Sequence, residues 1–129
     1  MRSATIKTGT GKLQQTVTIG PHVLTADEPV EDGGSDAGPS PHEWLLAGLG
    51  TCTSMTVKMY ADRKQWPLES VEVVVEGRRE VDAFVFHRRV TLSGSLTEEQ
   101  RARLLEIANK CPVHKTLTGT IRIETELAR

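Results

Sequence analysis

The sequence predicts an α+β fold in which antiparallel sheets surround one long central helix. Three observations predict it: stretches of period-two alternation on both sides of a long helical pattern, capping signals that mark helix starts, and Gly- and Asp-rich breaks between elements. At 129 residues, the chain is long enough to bury a real core and is expected to form a single domain over 1–129.

Leu13 to Ile19 alternates, breaks at Gly20-Pro21 and resumes in Val23, Leu24 and Thr25, the pattern of a hairpin, with an earlier strand near Thr5 to Lys7. Glu31 to Pro39 is too rich in glycine and turn-forming acids to sustain helix or sheet. A helix starts directly after it. Ser40 caps, Pro41 suits the first helical position, and Glu43 sits three residues after Ser40 as in a capping box. Leu45, Leu49, Cys52, Thr56 and Met59 recur at spacings of three and four, which predicts one buried face on a helix ending before Trp66-Pro67. Gly48 and Gly50 each weaken such a helix by about 1 kcal/mol relative to Ala, so both are expected to admit close approach of a backbone or a ligand.

Val71, Val73 and Val75 then alternate with Glu72, Val74 and Glu76, and a second strand runs from Phe84 to Ser93 after the polar turn at Arg78 to Asp82. Thr97 with Gln100 forms another capping box, and Leu104, Leu105, Ile107 and Ala108 give the following helix an apolar face that stops at Cys111-Pro112. Gly119 to Leu127 alternates and is expected to join a sheet. The long helix is apolar on more than one side, so a dimer wrapped around it is expected.

Composition narrows the function. A net charge of -1 with two Trp, one Tyr and two Phe provides neither the basic field nor the stacking platforms of a nucleic-acid binder. No apolar run reaches the roughly 18 residues of a membrane span, and the start lacks the pattern of a signal peptide. The expected location is the cytoplasm, with no membrane or nucleic-acid partner. Two cysteines in that reducing compartment are more often free or redox-cycling than a structural bridge. Singly, each reads as a small buried hydrophobe. As a pair they can supply a peroxidatic chemistry, in which one thiolate attacks a peroxide and the second captures the resulting sulfenic acid, provided that the fold unites them. Cys111-x-x-His114 lacks the further ligands that a zinc site needs, and no metal or other cofactor is expected. His22 and His87 fall in strands, where surface positions are the default.

The run Gly38-Pro39-Ser40-Pro41-His42-Glu43-Trp44-Leu45-Leu46-Ala47-Gly48-Leu49-Gly50-Thr51-Cys52, followed by Cys111-Pro112-Val113-His114, resembles the paired signature of the OsmC/Ohr family, and the order of elements matches over nearly the whole chain. The resemblance implies an intertwined homodimer with the long helices central and active sites at the subunit interface. It implies an organic hydroperoxide reductase with Cys52 attacking, Cys111 resolving and an external dithiol as reductant, without metal or flavin. The family pairs an arginine from the N-terminal strands with a glutamate just after the helix-start proline, a role for which Glu43 is the candidate here.

The sequence departs from that pattern in both places. His42 follows Pro41 directly, and no arginine lies between Ile6 and Leu24, where Lys7 and Lys12 are the strong cations. Glu43 precedes Cys52 by nine residues, which places the two on opposite sides of a straight helix and about 13.5 Å apart along it. Glu43 and His42 therefore each read either as helix-start residues, one capping and one solvated, or as contributors to the partner's site or to a site beyond a break in the helix. Two further readings keep the fold: a small-molecule-binding protein whose cavity the cysteines merely line, and a thiol-disulfide redox protein whose oxidant is not a peroxide.

Overall fold

The computed structural model describes all 129 residues, and the chain divides into two units, Met1–Leu45 and Leu46–Arg129. In the first, β1 (Thr5–Thr8), β2 (Gln15–Ile19) and β3 (His22–Ala26) form an antiparallel meander in the order β1-β2-β3, with Val17 buried. The turn between β2 and β3 passes through Gly20 at φ 57. A 3-10 turn at Val30–Asp32 lies in the polar segment that follows.

That segment is organised by Asp27, which is buried and accepts N–H bonds from Glu28 (2.8 Å), Ser35 (3.2 Å) and Ala37 (3.0 Å). The Ala37 and Glu28 amides lead in holding its carboxyl below the ordinary value, against the opposing effect of burial. Gly38 follows at a point where any Cβ would overlap the Thr25 carbonyl, so the start of the Gly38-Pro39-Ser40-Pro41 run is a steric requirement.

Helix α1 (Pro41–Lys64) starts where the capping signals place it: the Ser40 N–H donates to Glu43 Oε1 at 2.8 Å. Its buried residues are Leu49, Thr53, Val57 and Ala61, a ridge of i,i+4 spacing. This corrects the expected face. Of Leu45, Leu49, Cys52, Thr56 and Met59, only Leu49 is buried, while Leu45, Met55 and Met59 are exposed. Apolar residues surround the helix, and within one chain only one flank is covered.

In the second unit, β4 (Leu68–Arg79) and β5 (Phe84–Gly94) form a long antiparallel hairpin, with Val73 opposite Val90 and Val75 opposite Arg88. Helix α2 (Glu98–Ala108) opens with the Thr97–Gln100 capping box, both of whose hydrogen bonds are made. Val57 and Ala61 of α1, Leu68 of β4, and Leu104 and Ala108 of α2 close the core, with Trp66, Val71, Val90 and Leu92 packed against it. Gly50 comes close to the hairpin, since a Cβ there would lie 3.3 Å from Val75, whereas Gly48 faces open space.

Two expectations fail here. Pro112 opens a short helix, α3 (Pro112–Thr118), that the sequence reading passes over. Residues 119–129 form no strand, and all are exposed. Their alternation specifies an element that buries one face, and this chain provides no sheet edge on which the segment lies. No helix is long and apolar enough to cross a membrane.

Candidate active site

The first turn of α3 gathers both sulfurs. Cys111 is its N-cap, with extended backbone (φ -67, ψ 147), and Cys111 Sγ accepts the His114 N–H at 3.3 Å. The Val113 N–H donates to Cys52 Sγ on α1 at 3.4 Å. The Cys52 thiol is near enough to Cys111 to help lower the pKa of its thiol. Both are free; Cys111 is fully buried and Cys52 half-buried, so Cys52 is the sulfur open to a reactant.

A polar cluster backs Cys111. Thr53, one residue after Cys52 and on the buried ridge of α1, is fully buried, and its hydroxyl lies 3.7 Å from Cys111 Sγ. The same oxygen accepts from Arg88 Nη1 at 2.8 Å and lies 2.7 Å from the Leu49 carbonyl, to which it donates. Arg88 Nη2 donates to Asn109 Oδ1 at 2.8 Å and meets His114 Nδ1 at 3.0 Å. A guanidinium has no acceptor, so this His114 nitrogen carries the lone pair and the ring proton sits on Nε2. Burial pushes the Cys111 thiol up, but the His114 amide, the Thr53 hydroxyl, the Cys52 thiol and the Arg88 charge outweigh it, and its pKa falls below the ordinary cysteine value.

The sequence reading missed Arg88 as a member of this group. The guanidinium beside the cysteines comes from β5, not from the N-terminal strands that the family resemblance implies. A signal was present: Phe86, Arg88, Val90 and Leu92 share the half-buried face of β5, so a cation stands in an inward-facing register. Within one chain Glu43 caps the start of α1. The Ser40 amide leads in holding its carboxyl below the ordinary value, with the Ser40 hydroxyl adding to it.

A cavity of about 510 Å³ adjoins the cluster, with Leu49, Phe84, Phe86 and Leu117 on its apolar walls and Arg88 and His114 at a polar margin. Neither cysteine lines it. No group of three or more His, Cys, Asp or Glu side chains is placed to hold a metal ion.

Residues 33–126 match the protein family described as OsmC-like protein. Solved structures with the same fold include an OsmC-like protein from Mycoplasma pneumoniae (20% identity, 92% of this chain and 88% of that one, TM-score 0.77). An organic hydroperoxide resistance protein OsmC from Legionella pneumophila gives 20% identity over 92% of this chain and 90% of that one, with a TM-score of 0.70. The organic hydroperoxide resistance protein OhrB of Bacillus subtilis gives 18%, 92%, 91% and 0.65 for the same four measures. The comparison with curated proteins finds no match. The family match extends from the loop before α1 through both cysteines and α3. By that match, the chain belongs to the OsmC-like family.

Proposed function

We propose that the protein is a thiol-dependent peroxidase that reduces organic hydroperoxides, acting as a homodimer in a reducing compartment such as the cytoplasm. The observation that carries this reading is that consecutive amides of one helical turn, those of Val113 and His114, hold a half-buried Cys52 and a fully buried Cys111. Cys52 thiolate attacks the distal peroxide oxygen; an S–O bond forms, the O–O bond breaks, and the alkoxide leaves and takes a proton to become the alcohol. Cys111 thiolate then attacks the Cys52 sulfenic acid, an S–S bond forms, and hydroxide leaves to become water. An external dithiol returns the pair to thiols by exchange. The second copy of the chain covers the exposed apolar flank of α1 and completes the substrate pocket, and Glu43 of each copy is offered to the other's site.

The test mixes the reduced protein with one equivalent of an alkyl hydroperoxide and follows intact mass and peptide maps. Loss of two hydrogens with a Cys52–Cys111 linkage within seconds is the expected result. Thiols that stay reduced would remove the peroxidase reading. A second reading, a small-molecule-binding protein, is favoured by the 510 Å³ cavity, whose walls include neither thiol. Retained ligand affinity together with inert cysteines would establish it.

A further inference from the structure

We propose that Arg88 is a positioning residue for the resolving half-reaction, holding the Thr53 hydroxyl so that Cys111 is kept as the thiolate that attacks the Cys52 sulfenate. The proposal rests on the peroxidase reading for its role in turnover, but its physical core, a guanidinium that stabilises one particular thiolate, does not.

Thr53 Oγ1 has one proton and two lone pairs. Arg88 Nη1 occupies a lone pair at 2.8 Å. While Cys111 is a thiol, its S–H has the Thr53 oxygen as an acceptor at 3.7 Å, and the hydroxyl proton is directed to the Leu49 carbonyl at 2.7 Å. Once Cys111 ionises, rotating the hydroxyl turns that proton onto the sulfur. The Arg88 bond polarises the O–H and strengthens it as a donor. The Leu49 carbonyl loses an extra partner and no helical hydrogen bond. Arg88 is itself gripped at its other nitrogen by Asn109 Oδ1 and the unprotonated Nδ1 of His114, so its position is determined from α2's C-terminal cap and from α3.

The charged and titratable groups around the Cys111 sulfur are Cys52 from α1, Arg88 from β5 and His114 from α3. Arg88 is the cation among them, and its benefit falls on Cys111, which is fully buried and so is reached by an internal sulfenate and not by a bulky peroxide. Cation, hydroxyl and amide thus converge on the sulfur that must be a nucleophile in the second step. In that step the Cys111 electron pair forms the S–S bond, the Cys52 S–O bond breaks, and hydroxide departs as water.

The test has two arms. In the Cys52→Ser protein, where Cys111 is the sole thiol, thiolate absorbance is titrated with Arg88 intact, as Arg88→Lys and as Arg88→Met. Loss of the cation is expected to raise the midpoint by about one pH unit or more, with Lys restoring part of the shift; a midpoint indifferent to both substitutions overturns the proposal. In the protein with both cysteines, alkyl hydroperoxide is added and the sulfenate is trapped with a dimedone reagent. Arg88→Met is expected to accumulate trappable Cys52 sulfenate and over-oxidised product, with disulfide formation slowed about threefold at pH 7, because the roughly tenfold smaller thiolate fraction is partly offset by the greater nucleophilicity of the more basic thiolate. Disulfide formation at the native rate in both Arg88 variants overturns it equally. If the native protein forms no sulfenate, the peroxidase reading and the role in turnover fall together, while the titration arm still decides whether Arg88 stabilises the Cys111 thiolate. Arg88→Lys, which keeps the charge on a somewhat shorter stem, guards against a fold lost in Arg88→Met.

Discussion

The Val113 amide donates to the Cys52 sulfur at 3.4 Å across 61 positions of sequence. One residue further on, the His114 amide donates to the Cys111 sulfur. Consecutive backbone donors of one turn therefore serve both thiols, and their direction depends on Pro112, which presets the backbone at the first helical position. Replacing Pro112 with Gly loosens that turn without touching either sulfur. Disulfide formation after a stoichiometric peroxide pulse is expected to slow about two- to fivefold, the kinetic equivalent of roughly 0.4–1 kcal/mol of added backbone freedom. Stopped-flow thiol assays measure it, and an unchanged rate would show that the turn is held by its packing alone.

Thr53 separates a structural role from a chemical one. Thr53→Ser keeps the hydroxyl that Arg88 and Cys111 share, whereas Thr53→Val keeps the shape and removes it. The Val variant leaves Arg88 Nη1 and Cys111 without that partner, and the expected stability loss is about 1–3 kcal/mol for an orphaned buried donor. Urea unfolding of the pair checks this: Ser should remain within about 1 kcal/mol of native, since it loses one buried methyl group.

The Asp27 carboxylate predicts where acid acts on the segment before α1. Its folded pKa lies below the ordinary value near 3.9, chiefly because of the Ala37 and Glu28 amides. A carboxylate depressed in the folded state contributes stability that is fully present above its unfolded pKa and is lost as pH falls through the folded one. Native protein should therefore lose hydrogen-exchange protection at the Ser35 and Ala37 amides below about pH 4, and Asp27→Asn should lack it already at pH 7. Equal protection in the two proteins at neutral pH would exclude the carboxylate as the organiser of this loop.

What the sequence discloses and what it hides divide along physical lines. The start of α1 and the Thr97 cap of α2 were legible because capping is local chemistry, complete within four residues. The hairpins were legible because strand alternation is local as well. Arg88 was not recognised, since a lone arginine in a strand reads as surface; its period-two spacing from Phe86, Val90 and Leu92 marks it as inward, but only the packing of α1 brings it to Thr53. Helix α3 is only 7 residues long, too short to show periodicity, although Pro112 at its first position was a usable signal. The face of α1 was misjudged for a third reason. With apolar residues on several sides, the ridge at Leu49, Thr53, Val57 and Ala61 and the row at Leu45, Leu49, Cys52, Thr56 and Met59 are equally regular, and contact with β4, β5 and α2 selects the first.

The flank of α1 left exposed leads to the last prediction. Met55 and Met59, one turn apart, are 64% and 58% exposed, and residues 119–129 keep a strand-like alternation with no face buried. The proposed second copy of the chain, packed along α1, would cover the methionines and offer the C-terminal segment a sheet edge to pair with. Sedimentation equilibrium of the native protein at micromolar concentration is expected to give twice the chain mass. Met55→Glu with Met59→Glu places two carboxylates on that flank, where burial without a partner costs several kcal/mol per charge, and is expected to give the monomer. The same variant should retain the core of Val57, Ala61 and Leu104, which lies on the opposite ridge, and hence its helical circular dichroism. A native monomer, or a double variant that still sediments as the dimer, would assign the methionine flank to some other contact.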